Sequence, residues 1–184
     1  MTTFEYLAVA YSLLFSATAL RLVGSLSFVF HRERRYGIHA TVVILLLFGT
    51  VINFWTFLGY RDIEWNLARF FSLLAIPATL YFMASMLVPD NPDLIVSWKE
   101  HYYHRRVQYF AGQVVWMLVA IINTTFILGL PIAHPIRGVQ LVMLITGVCC
   151  LSSEREIVHK TVIGFMIILI PVFVLFDQLI WKTH

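Results

Sequence analysis

The sequence predicts an all-α integral membrane protein, a single transmembrane domain over residues 1–184 built as a bundle of about six helices. Three observations carry that expectation. Hydrophobic residues make up 60% of the chain and charged residues 12%, against roughly 25% charge in soluble domains. Mean hydropathy is +0.82. The apolar residues fall into continuous runs, each near the roughly 20 residues that cross a bilayer, with short polar linkers between them. Backbone in lipid must close its own hydrogen bonds, and unbroken runs of this length fit helices, not the alternating strands of an outer-membrane barrel.

The first span reads as 4–30. Ala17-Thr18-Ala19 looks cleavable, yet no Lys or Arg precedes Arg21, and Glu5 stands where a signal peptide would be positive. A retained first helix is therefore expected. The second span, 38–60, follows a linker with Arg32, Arg34 and Arg35, and the third covers 66–88 with Pro77 inside it. Asn91-Pro92-Asp93 then supplies an N-cap residue, a proline for a first helical position and an early carboxylate, predicting a helix over 92–106. That helix either lies in the interface or runs directly into the fourth span, 107–130, as a cytoplasmic extension; the continuous form is favoured. The fifth span, 135–151, is the shortest and opens behind Pro131 and Pro135, which fits less tilt or a partly re-entrant path. The sixth covers 157–181 and contains Pro171.

Pro77 and Pro171 each remove a mid-helix backbone hydrogen bond and are candidate hinges. Their matching places, in the third and sixth spans, fit a 3+3 inverted repeat of the kind transporters use. The frequency of proline in membrane helices is the plainer explanation.

Positive residues mark the cytoplasmic ends of spans. They concentrate in alternate linkers: Arg32, Arg34 and Arg35, then Lys99, Arg105 and Arg106, then Arg155 and Lys160. Those linkers are expected inside, with both termini outside. Trp55, Trp65 and Trp181 then fall at the outer interface, and Trp98, Tyr102 and Tyr103 at the inner one, as amphipathic rings do. The formal charge of +3 is explained by insertion and by anionic lipid at the cytoplasmic face, so nucleic acid is not expected as a partner. A homo-oligomer or a larger membrane complex is compatible with so apolar a chain. Cys149 and Cys150 are adjacent in an apolar segment and read as small buried hydrophobes.

Polar residues at membrane depth are costly and mark candidate sites. Arg21 stands out, sharing a helical face with Ala10, Leu14, Ala17, Gly24 and Phe28, and no carboxylate is predicted at its depth. It either snorkels to the inner headgroups or receives an anionic ligand. Toward the outer side Asn53, Arg69, Asp177 and Glu5, with Asn123 and Gln140 at similar depth, form a candidate ligand or ion pathway. An Arg69–Asp177 ion pair closing the bundle is the economical alternative. The inner side holds His31, His39, His101, His104 and His159. Glu100, His101 and His104 recur at helical spacing, and with His159 are candidate metal ligands. The alternative is a hydrated cationic collar, with Glu100 supporting His104 and Glu156 supporting Lys160 along their helices. No cofactor is identified, and the sequence holds no phosphate loop, nucleophile elbow, CxxC or HExxH.

Leu20-Arg21-Leu22-Val23-Gly24, Asn53-Phe54-Trp55, Tyr81-Phe82-Met83-Ala84, Pro89-Asp90 and His101-Tyr102-Tyr103-His104-Arg105-Arg106 together resemble small polytopic membrane proteins of bacteria that have no assigned function. The resemblance covers over half the chain and implies a bacterial inner-membrane helical bundle; it implies no activity.

Three functions follow as expectations. A small channel, transporter or ligand- or lipid-binding bundle predicts a water-accessible cavity. A non-catalytic accessory, scaffold or sensor subunit predicts a dry core and a broad apolar face. A membrane metalloenzyme predicts converging histidines.

Overall fold

The structure, a computed structural model, describes the backbone of residues 2–181 and the side chains of residues 2–171. The described chain is all-helical in its regular structure, with no strand among the described residues. Six α-helices follow one another: α1 Thr3–Val29, α2 Gly37–Thr56, α3 Leu67–Leu87, α4 Trp98–Ile122, α5 Ile136–Ser152 and α6 Glu156–Trp181. A 3-10 turn, Phe57–Tyr60, prolongs α2, and a π-turn, Asn123–Ile127, prolongs α4. Four of these segments are long and apolar enough to cross a membrane: Thr3–Val29, Gly37–Tyr60, Leu67–Leu94 and Trp98–Ile127. α5, at 17 residues, is a shorter apolar helix.

Local sequence explains the boundaries. Thr2 and Glu5 form a reciprocal capping box at the start of α1. Asn66 caps α3, accepting from the Arg69 N–H at 2.9 Å. The start of the expected helix over 92–106 is corrected, while its favoured continuation into the fourth span is observed as one helix, α4. Pro92–Leu94 is a lone 3-10 turn, Ile95 is extended, and α4 begins at Trp98 with Ser97 accepting from the Glu100 N–H. Pro92 starts a turn that nothing continues, whereas Ser97 and Glu100 carry the helix start, which the Asn-Pro-Asp signal obscured. At the far end of α4 the ladder widens into the π-turn and stops at Gly129, whose φ of 66° suits a residue without Cβ.

The helices alternate in direction, so the 30–36, 88–97 and 153–155 linkers meet at one end, called here the histidine-rich end. α3 and α4 pack most closely, at Gly112, where an added Cβ would lie 2.8 Å from Met83 Cγ. α5 completes the other side of α4, α1 packs on α2 and α3, and α6 closes the ring between α2 and α5. The core is a continuous apolar column that includes Leu7, Tyr11, Leu22, Val43, Leu46, Leu73, Leu80 and Met83. Large apolar side chains such as Leu13, Phe48, Phe71, Phe126 and Ile168 point outward, as lipid contact requires.

The two halves are not packed alike among the described residues. α1 packs along both α2 and α3, whereas α4 meets the described part of α6 through side chains of its first turns. Pro77 and Pro171 both lie within helices as expected. Near Pro77, Thr79 Oγ1 donates to the carbonyls of Ala75 and Ile76, both at 2.8 Å.

Candidate functional site at the histidine-rich end

The first turns of α4 organise this end. Trp98 has no exposed surface; its ring stacks on His39 of α2 at 4.7 Å, and its indole Nε1 donates to the Phe28 carbonyl of α1 at 3.0 Å. Its backbone N–H donates to the Arg34 carbonyl. One residue thus ties α4 to α1, α2 and the linker between them. Trp98 and Tyr102, expected at the inner interface, are covered by other helices and do not face outward, since both are buried inside the bundle. Their polar atoms find partners there, which an indole or phenol needs once it leaves water.

One turn on, His101 Nε2 lies 3.1 Å from both the Met86 and Leu87 carbonyls. Carbonyls only accept, so this nitrogen carries the proton and satisfies the last carbonyls of α3, which have no partner within their own helix. Tyr102 Oη lies 2.8 Å from His159 Nδ1, and His159 Nε2 lies 2.8 Å from the Ser153 carbonyl. By the same reasoning Nε2 donates, Nδ1 accepts, and the Tyr102 hydroxyl is the donor. Tyr102→Phe leaves the buried His159 acceptor unpaired, and is expected to cost about 1 kcal/mol in denaturant unfolding, with the fold retained.

Charged groups brace the periphery. Arg106, 8% exposed, donates to Glu154 Oε1 at 2.6 Å and joins α4 to the last linker. Glu156 lies 2.8 Å from Lys99 Nζ and 2.9 Å from Lys160 Nζ. The Lys99 and then the Lys160 hydrogen bonds hold the Glu156 carboxyl down to about 2, from an ordinary 4.5. A depressed carboxylate adds stability above its unfolded pKa and loses it as pH falls through the folded value. This surface tie is therefore intact above about pH 4.5 and released toward pH 2, an effect kept small by solvent screening. Glu156→Gln is expected to flatten that acid limb of the thermal unfolding midpoint.

Arg21 is corrected in its surroundings. The buried stripe of α1 runs Leu7, Tyr11, Phe15, Thr18, Leu22, Ser25 and Val29, which leaves Arg21 on its shoulder. Its Nε donates to the Val88 carbonyl at 2.8 Å and its Nη2 to Asp90 Oδ1 at 2.7 Å, with Tyr81 beneath the guanidinium at 5.9 Å. A carboxylate does neutralise it, because Asp90 follows α3 just where the snorkelling side chain reaches.

The proposed metal ligands are not brought together. His101 faces the end of α3, His159 faces Tyr102 and Ser153, and Glu100 and His104 are exposed. No group of three His, Cys, Asp or Glu side chains is placed to hold a metal ion among the described residues. The Glu100–His104 support has no hydrogen bond behind it there, whereas the Glu156–Lys160 pair is formed. His39 is distinct: fully buried between Trp98, His101 and Tyr102, it has no hydrogen-bond partner on either ring nitrogen among the described residues.

The outer residues are likewise separate. Asn53 donates to the Gly49 carbonyl of its own helix at 2.8 Å. Arg69 donates to the Glu64 carbonyl, and Glu5 belongs to the α1 cap. The Asp177 side chain lies outside the described residues, and with it the Arg69–Asp177 pair. A polar group forms instead where α4 meets α5. Arg137 donates to Thr124 Oγ1 at 2.7 Å, Gln140 Oε1 at 2.9 Å and the Leu130 carbonyl at 2.9 Å. Asn123 beside it is fully buried and donates to the Ser72 carbonyl of α3 at 3.1 Å. The signal in the sequence was Asn123 and Gln140, polar residues at one depth; the π-turn that brings Thr124 to Arg137 leaves no such trace.

Comparison with protein-family models, curated proteins and solved structures finds no match to this chain.

Proposed function

We propose that this chain is a non-catalytic scaffold or sensor subunit of a membrane, working through its histidine-rich end. In this proposal all six helices cross a bacterial inner membrane, both termini are periplasmic, and the histidine-rich end is cytoplasmic. The positive linkers Arg32–Arg35, Lys99–Arg106 and Arg155–Lys160 support that orientation.

The supporting observation is the contrast between the middle of the bundle and this end. Among the described residues apolar side chains interlock in the middle, and Thr18, Ser25, Thr50 and Gln113 turn back on backbone, to the Leu14, Leu22, Leu46 and Met143 carbonyls. A channel or transporter needs polar groups facing a shared path, and these face their own helices or the adjacent one. At the histidine-rich end, side chains from three linkers and five helices converge in a specific network, the arrangement of a surface held rigid for contact. His39 lies at the centre of this end, packed against the rings of Trp98, His101 and Tyr102.

Purified protein in liposomes tests this. Fluxes of K+, Na+, H+ and Cl− are expected to equal those of empty vesicles. A saturable flux that scales with protein content would overturn the proposal.

A further inference from the structure

A groove of about 700 Å³ runs between α2 and α6, opening beside Arg35. Gly37, Ala40, Thr41, Ile44, Leu45 and Phe48 form one wall, successive positions on a single face of α2. Ile167, Ile170 and Pro171 form the other. From Gly37 to Phe48 the wall is about 16 Å long at 1.5 Å per residue, close to one leaflet of a roughly 30 Å hydrocarbon core. The Thr41 hydroxyl is already engaged by the Gly37 carbonyl at 2.9 Å, so the wall presents an apolar surface along its length.

The mouth is charged. Among the described residues several cations of this end are occupied: Arg21 by Asp90, Lys99 and Lys160 by Glu156, Arg106 by Glu154, and Arg34 by the Asp93 and Ile95 carbonyls, whereas Arg35 is the cation that lines the groove. Arg35 has no ion-pair partner among them. A guanidinium at headgroup level above a one-leaflet apolar slot is complementary to a single class of molecule, an acyl chain carrying an anionic headgroup.

We propose that the α2–α6 groove is a binding site for one anionic glycerophospholipid, its phosphate on Arg35 and one acyl chain along Ala40 to Phe48. This deepens the scaffold proposal by naming what the histidine-rich end holds, and it stands or falls separately, since lipid retention and ion flux are independent measurements. A bound lipid would fix α6, which otherwise touches only α2, α5 and the first turns of α4 among the described residues.

Native mass spectrometry of the full chain with added phosphatidylglycerol or phosphatidylcholine is the test. Wild type is expected to retain one phosphatidylglycerol about fivefold better than phosphatidylcholine, the factor that one Arg near an anionic surface supplies. Arg35→Gln is expected to erase that preference while still retaining some lipid, and Ala40→Phe, which fills the slot, to lose both lipids. Arg32→Gln, on the same linker but away from the groove, is expected to behave as wild type. Equal retention of the two lipids by wild type, or an unchanged preference in Arg35→Gln, would overturn the proposal. A second copy of this chain seated in the groove would appear as a dimer lost in Ala40→Phe, and would overturn it too.

Discussion

Trp98→Ala is expected to lower the unfolding free energy by about 3–5 kcal/mol, the range for truncating a large buried aromatic. Trp98 has no exposed surface and meets His39, His101 and the Phe28 carbonyl at once. The loss has three parts: the cavity, the stack on His39, and the Phe28 carbonyl left without its donor. Trp98→Phe separates them, keeping most of the ring contact and losing the indole hydrogen bond, for about 1 kcal/mol. Denaturant titration in detergent, followed by helical circular dichroism, measures both. Equal stability of Trp98→Ala and wild type would mean that the start of α4 does not hold this end together.

Gly112→Leu is expected to cost about 3 kcal/mol, at the upper end of the usual range for overpacking. An ideal Cβ at this position already lies 2.8 Å from Met83 Cγ and 3.2 Å from Phe82 Cδ1, and α3 and α4 share the most extensive helix contact in the bundle. Gly112→Ala already requires the buried Met83 and the neighbouring Phe82 to shift, and is expected to destabilise, though less than leucine. Small residues at helix crossings permit close backbone approach in membranes, where lipid supplies no hydrophobic drive to associate. By contrast Gly49, where an added Cβ meets nothing within 4 Å, is expected to accept alanine with little change. The same titrations rank the three variants.

Helix identity was legible because lipid burial imposes a one-dimensional constraint. Each apolar run must be about as long as the bilayer is thick, so the expected 4–30, 66–88 and 135–151 lie within a residue of α1, α3 and α5. The start of α4 was not legible. Two cap signals, Asn91-Pro92-Asp93 and Ser97 with Glu100, compete within seven residues, and only the packing of Trp98 decides between them. The level of a polar residue along the bundle was readable, as Gln140 of α5 meeting Thr124 beyond α4 illustrates, but the facing of each side chain was not. Arg21 was expected to lack a carboxylate because Asp90 belongs to a linker, and a linear map of spans does not show a long side chain reaching along its helix to meet it. The histidines were misread for a related reason: HxxH spacing puts two rings on one helix face, yet His101 serves the end of α3 and His104 is exposed. Trp98 read as an interfacial anchor because composition places tryptophan at headgroup level without saying whether lipid or another helix covers it.

The central claim is a bundle whose middle admits no water while its histidine-rich end is specifically built. Single cysteines at Leu46 and Leu80, both buried in the apolar column, test it in a Cys149→Ala, Cys150→Ala background reconstituted in liposomes. A small, water-soluble, thiol-reactive reagent applied to both faces is expected to leave both positions unlabelled, while a cysteine at the exposed Val96 reacts fully. Labelling of Leu46→Cys or Leu80→Cys in the folded protein would reveal a water-filled path through the bundle and contradict the claim.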